Sequence, residues 1–258
     1  MKKIRKISIN KVAVSALLAM GIAGVVLSAF YASSFLAILG VSFIFWGGIL
    51  LYIAPLKHVP ITFLTASNTA NLSNIERILS EIKFAEKGIY LPPKNLPDVD
   101  SSLLFIPKIS KQALPKPEEI AMTELSSKKH DCLFLTPPGF ALTKLFEQKQ
   151  GFSFTKIDLP YLQKNLSKLL TGQLEITENL EIRTQNNKII FEIRGSIFKD
   201  DCQETQKLQQ THNAVGCLLS SSLACVLAKV TGKAIVIENE EQSEDGKITK
   251  IEYRILEE

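Results

Sequence analysis

No residue from Val12 to Leu56 carries a charge, and basic residues stand at both edges of this stretch. Lys2, Lys3, Arg5, Lys6 and Lys11 precede it and Lys57 follows it. As one helix the stretch would be on the order of 68 Å long, at about 1.5 Å per residue. The hydrocarbon core of a bilayer is only about 30 Å thick. Two spans fit where one does not, so the sequence predicts helices near 12–29 and 35–54, turning at Phe30-Tyr31-Ala32-Ser33-Ser34. Tyr31 and Tyr52 fall near the interfaces, where aromatic rings with a polar tip are favoured. Gly21, Gly24, Gly40, Gly47 and Gly48, with Ala13 and Ala16, supply the small side chains that let two membrane helices approach closely.

Positive charge on both flanks and none in the turn places both termini in the cytoplasm by the positive-inside bias. A cleaved signal peptide would need a short apolar core, but here a second full apolar span follows directly. The expected localisation is therefore the cell membrane, multi-pass. The partners expected are the lipid bilayer and a protein partner or second copy meeting the hairpin.

All 26 acidic residues lie beyond position 58, against 24 of the 30 basic ones, which gives the remainder of the chain a net charge of −2. That balance gives no basic footprint for nucleic acid. Four cysteines, Cys132, Cys202, Cys217 and Cys225, form no C-x-x-C pair. In a cytoplasmic domain they read as buried free thiols.

The organisation expected is a basic terminus (1–11), a hairpin (12–56), a connector (57–70) and one cytosolic domain (71–258). Leu72, Ile75, Ile78, Leu79 and Ile82 recur at helical spacing, with Ser73 as cap and Gly88 as stop. Short strands are expected at 89–91, 102–106 and 132–135, with a polar loop or weak helix over 108–130. Asp158 and Pro160 open one helix; Asp200 or Asp201 caps a polar one that reaches about Gln210. An apolar helix runs from Cys217 to Val230 and Gly232 ends it. Two-residue alternation on either side of Gln185-Asn186-Asn187 and of Glu244-Asp245-Gly246 marks two β-hairpins. Blocks of helices and antiparallel hairpins give an α+β class.

The candidate ligand site is the Cys217, Ser221, Cys225 face of the apolar helix, whose start offers free N–H groups to an anion. Gly139, at the strand-to-helix turn Thr136-Pro137-Pro138-Gly139, joins it. His212 with Cys202 and Cys217 matches no zinc module; a solvent-exposed histidine and buried thiols are expected instead, with no metal and no cofactor. His130 and Cys132 would share one face of a strand, as a thiol nucleophile and its base require. Thr231-Gly232-Lys233 ends a helix rather than opening one, unlike a P-loop. Glu240-Glu241 and Glu244-Asp245 read as a solvated hairpin tip. No catalytic set is legible. The reading is a membrane-anchored cytosolic binding or regulatory module; the alternative is a membrane-bound enzyme or a ligand or redox sensor using the Cys217–Cys225 helix.

The basic start, the hairpin, the block Gly216-Cys217-Leu218-Leu219-Ser220-Ser221 with Ala228-Lys229-Val230-Thr231-Gly232-Lys233, and the turns Tyr90-Leu91-Pro92-Pro93 and Thr136–Gly139 together resemble a group of uncharacterised archaeal membrane-anchored proteins. The resemblance implies one architecture through most of the chain and a prokaryotic source. It brings no activity or site residue with it.

Overall fold

The computed structural model describes residues 9–53, 61–83, 86–96, 102–108, 114 and 132–256. The chain divides into two compact units, Met1–Pro60 and Ile61–Glu258. The loop expected over 108–130, and His130 with it, lies almost wholly outside the described residues.

The first unit holds two apolar helices, α1 (Ile9–Tyr31) and α2 (Ser34–Ile53), with the turn where the sequence puts it. Glycines set their closeness: a Cβ on Gly21 would lie 2.9 Å from the Gly40 carbonyl oxygen, and one on Gly24 3.1 Å from the Gly40 Cα. Any side chain there would push the helices apart. Gly48, by contrast, faces open space.

The second unit is a mixed α and β fold on a seven-stranded sheet, in the order β3-β2-β1-β6-β7-β5-β4, antiparallel at every pairing. The strands are β1 (Ile89–Leu91), β2 (Leu103–Pro107), β3 (Cys132–Leu135), β4 (Asn179–Gln185), β5 (Lys188–Arg194), β6 (Ile235–Gln242) and β7 (Ile248–Ile255). Both expected hairpins form, with Asn186 and Gly246 supplying the positive φ their turns need. Outside the hairpins, β1 joins the two halves of the sheet by pairing with β2 and β6.

The helices are α3 (Ile61–Ile82), α4 (Phe140–Gln150), α5 (Leu159–Lys168), α6 (Lys199–Lys207), α7 (Gln209–Val215) and α8 (Leu218–Thr231). Helix α8 is the centre of the core. Every residue from Leu218 to Lys229 is buried, against Tyr90, Ile235, Ile251 and Tyr253 of the sheet among others. Gly232 ends it in the left-handed conformation. A smaller cluster, Leu91, Leu96, Phe105 and Phe134, covers the opposite face of β1–β3.

Three local expectations are corrected. Residues 61–70 are not connector but the first half of α3; their Thr, Ser and Asn residues are weak helix formers, and tertiary bonds hold them in place. Asn68 Nδ2 donates to Asp201 Oδ1 at 2.6 Å. Ser73 therefore sits mid-helix, its hydroxyl donating to the Thr69 carbonyl rather than capping. Second, the polar helix expected to reach Gln210 breaks at Leu208 into α6 and α7. The new start of α7 is capped from α3: the Glu76 carboxylate accepts from the Gln210 and Thr211 N–H groups at 3.3 and 2.6 Å. Third, Asp201 does not cap its own helix, since its Oδ2 accepts from the Leu218 N–H at the start of α8.

Candidate functional site

The side chains singled out in the sequence fall into separate surroundings. Gly139 and Ser221 meet directly, the Gly139 N–H donating to Ser221 Oγ at 3.0 Å. A Cβ on Gly139 would stand 2.0 Å from the Ser222 backbone nitrogen, so the turn before α4 is pressed onto α8. That N–H is committed and the space above it is filled, which leaves nothing for a phosphate. Cys225 lies deep beside Ser102 and Thr143, and burial pushes its thiol up to about 12. Cys217 belongs to a third group, which the sequence reading had only in part.

That group forms where α6, α7, α8 and β6 converge. Cys202 lies on α6, His212 on α7, Cys217 just before α8 and Glu240 on β6. Cys202 Sγ donates to Cys217 Sγ at 2.6 Å. The two sulfurs and a Glu240 carboxylate oxygen all lie within 4.8 Å of one another, and all three residues are buried. Glu240 Oε2 accepts from Ser220 Oγ at 2.6 Å and from the Cys217 N–H at 3.2 Å, and stands 3.6 Å from His212 Nε2. Glu240 Oε1 and His212 Nε2 are buried without a hydrogen-bond partner.

Two of the N–H groups at the start of α8, expected to be open to an anion, are thus taken by this chain's own residues: that of Leu218 by Asp201 and that of Cys217 by Glu240. Negative charge is favoured there by the helix dipole. Even so, burial raises Asp201 above the usual carboxylate range, offset in part by its bonds from Asn68 and Leu218. Cys202 is raised by its bond to Cys217 and by burial; Cys217 is raised by burial and by the nearby Glu240 charge. Both thiols are therefore protonated at neutral pH. Burial likewise raises Tyr253, whose hydroxyl donates to the Ser220 carbonyl at 2.9 Å and closes the floor of the group.

Glu240 corrects the solvated-tip reading. A bulge in β6 breaks the pairing between Ile237, opposite Tyr253, and Asn239, opposite Glu252. One extra residue reverses the side-chain alternation beyond it. Asn239 and Glu241 are exposed, and Glu240 turns into the core opposite Ile251. No feature of the sequence alone marks the bulge. His212, expected in solvent, has a side chain only 21% exposed.

A second buried polar contact lies at the far end of α8. Lys229 Nζ meets both Glu147 oxygens at 3.1 and 3.0 Å. Glu147 Oε1 also accepts from Ser153 Oγ and the Phe154 N–H. This pair ties α8 to α4, with every charged atom partnered.

The chain belongs to the family described as Domain of unknown function (DUF7982), whose match spans residues 2–254. No curated protein and no solved structure matches it.

Proposed function

We propose that this chain is a membrane-anchored binding or regulatory module. In this reading α1 and α2 are a two-span anchor with both termini in the cytoplasm, and the unit from Ile61 is the cytosolic working part. The observation that carries the reading is the surface of the first unit. Phe30, Phe35, Ile38, Phe45 and Trp46 are all more than half exposed on helices without a charge between Val12 and Leu56. A patch that size in water would be a liability; in lipid it is the required surface. Ser28 and Ser42 return their hydroxyls to carbonyls of their own helices, Val25 and Ile38, as a span in hydrocarbon demands. The archaeal affiliation implied by the sequence resemblance belongs to the same proposal.

A binding role is favoured over thiol chemistry on the Cys217–Cys225 helix because Cys202 is raised by its bond to Cys217 and by burial, and Cys217 and Cys225 by burial, where a thiol nucleophile needs a depressed pKa. The test is a cysteine added after Glu258 in a variant whose four native cysteines are replaced. An impermeant maleimide should label it only after the cells are permeabilised. Labelling in intact cells, or release of the protein from membranes by alkaline carbonate, overturns the reading.

A further inference from the structure

We propose that Cys202, Cys217, Glu240 and His212 form a binding site for a divalent d10 cation of the zinc class. Two sulfurs, a carboxylate and an imidazole are a donor set that suits zinc, and four protein ligands make a closed, structural site. Three of the donors already lie within 4.8 Å of one another, and the fourth, His212 Nε2, stands 3.6 Å from Glu240 Oε2.

Two further observations point to a ligand. Glu240, whose side chain is 2% exposed, has an oxygen with no hydrogen-bond partner, and the Nε2 of the adjoining His212, 3.6 Å from its other oxygen, has none either. Buried polar atoms are rarely left so, and each such group calls for an explanation. A Cys202–Cys217 disulfide would satisfy neither atom, whereas a cation satisfies both. His212 is also the one member that reaches solvent, which gives an entry side.

On loading, each thiol gives up its proton to solvent and the ion takes two thiolates, the carboxylate and the neutral imidazole. With zinc–sulfur bonds of about 2.3 Å, the two sulfurs would stand about 3.7 Å apart. That spacing lies within the 4.8 Å spread the three donors already have. The ion would pin α6, α7, α8 and β6 at one point, coupling the fold of the second unit to metal supply.

The test uses the full chain purified in detergent under reducing conditions, with zinc as the probe. Elemental analysis after dialysis should find stoichiometric zinc, and its removal by chelation should lower the melting temperature by several degrees. Cobalt added to the stripped protein should give a thiolate-to-metal charge-transfer band. C202S and E240Q should each weaken zinc binding by about tenfold or more, as even outer-shell ligand changes can. Absence of both zinc uptake and the cobalt band in wild-type protein overturns the proposal. So does full zinc binding by the C202S/C217S variant, or a Cys202–Cys217 disulfide recovered from cells by rapid acid trapping with no metal bound. None of these readings depends on where the anchor sits, so the site and the membrane reading fail separately.

Discussion

Two stretches of this chain, Val14–Tyr31 in α1 and Gln209–Thr231 spanning α7 and α8, are both long and apolar enough to cross a membrane. They have opposite surroundings: 11% of the most apolar window of the first is buried, against 83% of the second. Average hydropathy does not separate them; the polar residues do. In α8, Ser220 bonds Glu240, Ser221 accepts from Gly139 and Lys229 pairs with Glu147, all partners distant in sequence. In the first unit, Ser28 and Ser42 need nothing beyond their own helices. A helix whose polar atoms require tertiary partners has declared that it belongs in a folded core.

The sharpest way to break this contrast is to place a charge in each stretch. Leu223→Lys puts an unpaired ammonium at a fully buried position, and the second unit should fail to fold, since the cost rivals a whole domain's stability. Val26→Lys, at a half-exposed position, should leave that unit's thermal transition unchanged. It should instead weaken membrane retention, by less than the penalty of about 2.5–3.5 kcal/mol for a charge at the centre of a span, since Val26 lies toward the turn. Trp46, the chain's one tryptophan, reports on the first unit, and the buried Tyr90 and Tyr253 report on the second, so the two effects can be read apart by fluorescence and near-ultraviolet circular dichroism.

A smaller effect sharpens the α8 side. Lys229→Ala strands Glu147 in a largely buried setting and should cost about 3 kcal/mol in urea unfolding; the double replacement Lys229→Met with Glu147→Leu should recover much of it. An equal loss in both variants would mean that the polar bonds made by the pair, including those Glu147 accepts from Ser153 and Phe154, outweigh its packing. Below that, Ala224→Leu should cost about 1–3 kcal/mol by overpacking a site with no free space, read as a lower urea midpoint at constant slope.

The smallest expected effect is on pH dependence. Hydrogen bonds from Lys188 and Arg254, each at 2.6 Å, hold Glu238 below the usual glutamate range. Its stabilisation is therefore complete above about pH 4.5 and is lost as pH falls through the depressed value. Glu238→Gln should flatten that part of the acid limb, by less than about 1 kcal/mol for a surface pair. An unchanged acid limb would show that the pair contributes nothing measurable.

Much of the second unit is legible where one local rule decides. Asp158 accepts from the Tyr161 N–H as a cap should, and the Gln185-Asn186-Asn187 turn closes β4 onto β5. The burial of α8 is legible too, from small uncharged residues with only one lysine. What escapes is decided at a distance. The first half of α3 looks like linker because Asn68 is held by a residue far along the chain, Asp201. Cys217 and Ser221 share a helix in sequence, yet one faces Cys202 and Glu240 and the other faces Gly139. Of the Cys202, His212, Cys217 and Glu240 group, the sequence offers three members by residue type and hides the fourth behind a register shift.

That shift in β6 bears on how relatives are compared. A family member with a flat, uninterrupted strand one residue shorter would keep its acid facing the core. It aligns with this chain only when the gap is placed at 238–239. An ungapped alignment would set the relative's inward acid against Asn239 and report the position as lost. Columns counted back from the turn at Gly246 stay in phase with Glu240, whereas columns counted forward from Ile235 fall out of phase at the bulge. The presence of the carboxylate across the family is therefore a question about strand length before it is one about residue identity.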